Sequence, residues 1–99
     1  MLTINKSLEN GKAVLSPEGR LDTTTAPEME SVIKDILKTT NDLTLDFVKL
    51  DYISSAGLRV LLSTQKAIGN QGSLKIINVN ETINEIFDVT GFSDILTIE

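Results

Sequence analysis

The feature that most restricts how this chain can fold is a change of hydrophobic period between residues 43 and 62. Leu43, Leu45 and Phe47 alternate with Thr44 and Asp46, the repeat of a strand with two unlike faces. Leu58, Leu61, Leu62 and Ile68 then recur at helical spacing, so the chain passes from strand to helix between about Lys49 and Ala56. The junction, Asp51-Tyr52-Ile53-Ser54-Ser55-Ala56-Gly57, is rich in small and hydroxyl-bearing residues and reads as a turn. A serine there can accept from the free N–H groups of the first helical turn, which makes Ser54 or Ser55 the expected N-cap. A small, unhindered hydroxyl at the positive end of a helix is also a place where a phosphate group is held favourably.

Ile53-Ser54-Ser55-Ala56-Gly57-Leu58, following the strand Leu43 to Val48, resembles the signature of the STAS domains, specifically the bacterial anti-sigma factor antagonists. The usual form in that family is a hydrophobic residue, Asp, Ser, Ser or Thr, Gly and Leu, with the first hydroxyl residue phosphorylated by the anti-sigma factor, a serine protein kinase. Matching Gly57-Leu58 to the family's Gly-Leu places Ser55 at the phosphorylated position. Ser54 is the second candidate, and it stands where the family often has Asp. Gly19 and Asp22 match the family's Gly-x-Leu-Asp segment, which in the resemblance lies beside the phosphorylated serine. From the chain alone, Asp22 reads equally well as a local turn or cap residue.

The remaining segments read as strands and helices of one domain. Leu2 and Ile4 alternate with polar residues in a first strand, Asn10-Gly11 is a hairpin turn signal, and Lys12 to Ser16 carries a second strand. Pro17 lacks an N–H, so that strand either ends there or keeps the position on an unpaired side. Thr25 and Glu28 have the spacing of a capping box. A helix follows with Ala26, Met29, Val32, Ile33, Ile36 and Leu37 inward, and Glu30, Lys34, Asp35 and Lys38 outward. The helix from about Ala56 to Asn70 turns Ser63, Lys66, Arg59 and Asn70 to solvent. Its Ala56, Val60 and Ala67 stripe is either additional core or an exposed docking surface beside the serines. Gly69 and Gly72 end it, Leu74, Ile76, Ile77 and Val79 form a strand, and Asn80 caps a third helix with Ile83, Ile86 and Phe87 inward and Gly91 as its stop. Phe92, Ile95, Leu96 and Ile98 return the C-terminus to the core, with a final short strand.

Composition narrows the function. The chain has 99 residues, no cysteine and no histidine, which removes disulfides, thiol chemistry and the usual serine-histidine hydrolase arrangement. A net charge of −5, with Lys and Arg scattered singly, argues against nucleic acid or an anionic membrane as partner. No Gly-x-Ser-x-Gly elbow surrounds Ser54 or Ser55, and the spacing of Asp22, Asp46 and Asp51 matches no magnesium loop, so neither an enzyme nor a metal site is expected. The N-terminus lacks the long apolar core of a signal peptide, which points to the cytoplasm.

The expected architecture is α/β: a single STAS-like domain over residues 1–99, with a mixed sheet of about four to five strands and about three to four helices. The resemblance implies a phosphorylation-switched anti-sigma factor antagonist. Its partners would be a serine-kinase anti-sigma factor, which brings the ATP, and a PP2C-type phosphatase; no cofactor of its own is implied. Asp22, Ser54, Ala56, Gly57, Arg59 and Val60 are the residues expected to meet the partner. The alternative is a STAS subunit of a membrane transport complex, or a partner-switching regulator that controls no sigma factor.

Overall fold

The computed structural model describes residues 2–99. In chain order the elements are β1 (Thr3–Glu9), β2 (Lys12–Leu21), α1 (Ala26–Leu37), β3 (Asp42–Asp46), β4 (Leu50–Ile53), α2 (Ser55–Ile68), β5 (Ser73–Ile77), α3 (Glu81–Thr90) and β6 (Thr97–Ile98), with a short 3₁₀ turn at Phe92–Asp94. One six-stranded sheet runs β1-β2-β3-β5-β6, with β4 paired to β2. Among the described residues, only the β1–β2 hairpin is antiparallel; every other pairing is parallel, as the strand-helix-strand units require. Asn10 and Gly11 make the hairpin turn at φ 52° and 77°, a backbone region that Gly and Asn enter readily.

The sheet is built on strict alternation. Ala13, Leu43 and Leu74 lie side by side across β2, β3 and β5, and Leu15, Leu45 and Ile76 form the next row, all buried. The rows between them, such as Val14, Thr44 and Lys75, lie on the opposite face, where Lys75 is exposed and Thr44 half-buried. The buried face meets Met29 and Ile33 of α1, Leu61 and Ile68 of α2, and Ile83 and Phe87 of α3 in one core. Gly91, at φ 80°, ends α3 as expected, while the Asn80 side chain caps its start by accepting from the Ile83 N–H at 2.8 Å.

Four differences from the sequence reading have physical causes. The second strand runs past Ser16 to Leu21, and of the two alternatives for Pro17 the unpaired side is the one adopted, because β2 changes neighbours there: its pairing with β3 ends at Leu15 and its pairing with β4 begins at Gly19. Pro17 therefore sits in the gap, where no parallel partner needs its missing N–H.

The junction expected to be a turn contains the short strand β4. Gly19 pairs with Leu50 and Arg20 with Tyr52, so Asp51 is an extra residue at a bulge. The bulge spoils the alternation that would have marked the strand.

On α2, Leu62 is only half-buried, while Thr64 is 4% exposed and donates its hydroxyl to the Val60 carbonyl at 2.7 Å. The inward stripe is rotated toward Val60 because α1 packs beside α2 on that flank. Ile95, read as core, is 47% exposed; Phe92, Leu96 and Ile98 make the return to the core without it.

Candidate functional site

The ends of β2 and β4 lie side by side, with Leu21 opposite Ile53. One residue, Ser54, then separates β4 from α2. Its backbone N–H extends the ladder by donating to the Leu21 carbonyl at 2.9 Å, and its own carbonyl accepts the first helical bond, from the Leu58 N–H at 2.9 Å. This brings together the segment after β2, which starts with Asp22, and the start of α2, two regions more than 30 residues apart in the chain. Asp22 thus follows directly on the residue whose carbonyl is bonded to Ser54.

The two serines differ sharply. Ser55 is the first residue of α2 and is exposed. Ser54 holds the N-cap position with extended backbone (φ −100°, ψ 179°), yet its side chain makes no cap bond. Its hydroxyl oxygen is buried without a hydrogen-bond partner. The cap expected of a serine here is therefore absent, because the hydroxyl is turned into protein where no N–H meets it. The N–H groups of Ser55, Ala56 and Gly57 precede the first helical bond and have no acceptor within the helix. They are the donors that an anion attached to Ser55 would meet, and no acidic side chain occupies this first turn.

Gly57 explains how the helix start is seated. A β-carbon on Gly57 would stand 2.6 Å from Cγ1 of Ile53 and 2.8 Å from Cγ of Leu21, both fully buried side chains. Only glycine lets α2 approach the strand ends this closely. Gly57 and Val60, both expected among the residues that meet a partner, are buried, Val60 to 4% exposure, so the core alternative for Val60 is the one adopted. Ala56 is half-buried, and Ala67 and Arg59 are exposed. Ala56, Arg59 and the edge of Val60 line a shallow recess of about 230 Å³ whose other wall is Thr23, Ala26, Pro27 and Glu30. A larger groove, about 340 Å³, lies at the start of β2 against Lys6, Leu8 and Ile36, away from the serines.

Asp22 is held by its own turn. Its Oδ1 accepts from the N–H groups of Thr24 at 3.0 Å and Thr25 at 3.2 Å, and its carbonyl accepts from Ala26 at 2.8 Å. The expected Thr25–Glu28 capping box does not form. The Thr25 hydroxyl instead donates to the Arg20 carbonyl at 2.8 Å and accepts from the Asp22 N–H at 2.9 Å. The Asp22 carboxylate instead closes the turn that precedes the helix, and α1 starts without a side-chain cap. The N–H of Thr25, chiefly, holds the Asp22 carboxyl below the usual carboxylate range, with Thr24 and the Arg20 charge acting in the same direction.

Sequence reasoning missed the Arg20–Tyr52 pair, in which the guanidinium carbon lies 4.5 Å from the ring centroid. Arg20 and Tyr52 are register partners across β2 and β4, so the signal was hidden with β4 itself. Thr23, Pro27 and Glu30 were missed as neighbours of α2 for the same reason: only packing brings α1 beside it. Among the described residues, no cluster of His, Cys, Asp and Glu is arranged to hold a metal ion, and no helix is long and apolar enough to cross a membrane.

Residues 3–99 match the family model of the STAS domain. The chain is 34% identical over 82 residues to an anti-sigma-B factor antagonist of Staphylococcus epidermidis, covering 81% of this chain and 76% of the relative. An anti-sigma factor antagonist from Mycobacterium paratuberculosis superposes with a TM-score of 0.91 at 21% identity, over 99% of this chain and 85% of that one. The anti-sigma factor antagonist SpoIIAA in its unphosphorylated form gives a TM-score of 0.77 at 15% identity, over 98% and 87% of the two chains.

Proposed function

This chain belongs to the STAS domain family, and on that premise we propose that it is an anti-sigma factor antagonist operated by phosphorylation of Ser55. In its unphosphorylated form it binds an anti-sigma factor that is also a serine kinase, and the sigma factor is freed. The γ-phosphoryl group of the kinase's ATP passes to Ser55 Oγ, ADP leaves, and the hydroxyl proton goes to a base of the kinase. A PP2C-type phosphatase hydrolyses the ester to serine and inorganic phosphate, which restores binding. The cycle belongs in the cytoplasm, where ATP and the transcription machinery are.

The observation that carries this reading is the contrast between the exposed Ser55 and the buried hydroxyl of Ser54. A kinase must reach the hydroxyl it modifies, and of the pair only Ser55 offers one. The naming of the staphylococcal relative as an anti-sigma-B factor antagonist supports the partner class. The recess between α1 and α2, lined by Arg59, Ala56 and Thr23 among others, opens at the first turns of α2 and is the surface on which the partner would pack. A phosphate there would meet partner groups that had packed against a small hydroxyl, and burying it against them without a matching cation from the partner is costly.

Binding titrations of the two forms against the cognate kinase test the reading. Phosphorylation is expected to lower affinity at least ~10-fold, about 1.4 kcal/mol, while the fold is retained. Equal affinity of both forms would overturn it. Phosphopeptide mass spectrometry on protein from its own cells should find the phosphate on Ser55.

A further inference from the structure

Arg59 stands four residues after Ser55 on α2, and both are exposed. Residues at this spacing share a helix face, and helical side chains lean toward the N-terminus, so Arg59 has the reach to meet a group carried by Ser55. Among the described residues, no carboxylate pairs with it. Glu30, the one carboxylate lining the recess that Arg59 borders, pairs with Lys34 at 3.5 Å. Among the described residues, the ion pairs are Lys34–Glu30, Lys38–Asp35 and Lys49–Glu18, none of which involves Arg59. The chain has only one other arginine, Arg20, which is stacked on Tyr52. A planar guanidinium with five N–H donors, about one helical turn from Ser55, is thus left without an ion-pair partner among the described residues.

We propose that Arg59 is a built-in clamp for a phosphate on Ser55, an inference that rests on reading Ser55 as the switch. An anion four residues before a cation is the favourable order on a helix, and guanidinium and phosphate match as a bidentate pair. The clamp gives phosphorylation two effects at the same edge. It adds about −1.5 to −2 charges, and it withdraws the exposed Arg59 cation from any acidic group of the partner that had docked on it. The unphosphorylated edge presents a free cation; the phosphorylated edge presents an internally paired anion.

The test uses the full chain with phosphoserine installed at position 55 by genetic encoding, so that no kinase is needed. Phosphorus NMR then follows the second ionisation of the phosphate in the parent protein, in Arg59→Gln and in Arg59→Lys. With Arg59 the dianion is expected to form at a pH at least ~0.3 units lower than in Arg59→Gln, with Arg59→Lys between them. Salt at about 1 M is expected to erase most of the difference, as it should for an exposed pair. The rise in melting temperature on phosphorylation is also expected to be larger with Arg59 than in Arg59→Gln. The same phosphate ionisation in all three proteins would overturn the clamp. Failure of the cognate kinase to modify Ser55 would instead overturn the switch reading and leave the NMR result standing.

Discussion

The N–H of Ser54 donates to the carbonyl of Leu21 at 2.9 Å, and this single bond fixes the relation between the two segments that make the candidate site. It continues the β2–β4 ladder by one residue past Leu21–Ile53, so the Asp22 turn and the start of α2 leave the sheet together. The same bond holds Ser54 while the helix turns away, which exposes Ser55 and buries the Ser54 hydroxyl.

Replacing Ser54 by alanine should therefore stabilise the protein, although removing a serine from an N-cap ordinarily costs about 0.5–2 kcal/mol. The Ser54 hydroxyl makes no cap bond and is buried without a partner. A buried, unsatisfied polar group costs about 1–3 kcal/mol, so a gain of about 1 kcal/mol is expected in urea unfolding, with phosphate incorporation largely retained. Ser55→Ala should leave stability nearly unchanged and abolish incorporation. A clear loss of stability in Ser54→Ala would mean that the hydroxyl caps the helix in solution.

Gly57→Ala should lower stability, against the usual benefit of alanine in a helix. The added methyl would meet the inner carbons Ile53 Cγ1 and Leu21 Cγ at 2.6 and 2.8 Å. Overpacking costs about 1–3 kcal/mol, more than the ~1 kcal/mol that helix propensity returns. Because relief requires α2 to lift from the strand ends, amide exchange at Ser54 and Ser55 should accelerate as well. A protein as stable as the parent would refute the close seating.

Val60→Glu and Ala67→Glu, seven residues apart on α2, should behave oppositely. Val60 is 4% exposed and belongs to the core, whereas Ala67 is exposed. A buried, unpaired carboxylate costs several kcal/mol, so the first variant should lose most of its native circular dichroism and the second should keep it. A folded Val60→Glu protein would place that flank of α2 at the surface.

Asp22 sets an acid-side dependence whose sign follows from its bonds. Its folded-state ionisation is held below the ordinary carboxylate value, chiefly by the Thr25 N–H. Its contribution is therefore complete above that ordinary value and is lost as pH falls through the depressed one. Urea midpoints of the parent and Asp22→Asn, measured between about pH 7 and pH 3, should converge toward the acid end. A difference that is the same at every pH would show that the charge of Asp22 contributes nothing to folding.

Much of this molecule follows from local pattern. The alternation of Leu43, Leu45 and Phe47, the helical spacing from Ala26 to Leu37, the Asn10-Gly11 turn and the Asn80 cap each report a contact made within a few residues, and each appears where its pattern places it. The position of Ser55 at the head of α2 is of the same kind, since a change of period locates a junction to within a few residues. β4 was not legible, because a strand whose partner requires a bulge at Asp51 does not alternate. The passage of β2 through Pro17 was legible only as one of two alternatives, because it depends on two different strands pairing on either side of it. The inward turn of Val60 and Thr64 depends on α1 lying beside α2, and the silence of the Ser54 hydroxyl depends on what surrounds it. Period and turn chemistry are short-range and survive in the sequence; which hydroxyl faces solvent and which finds no partner is set by groups that only the closed sheet brings together.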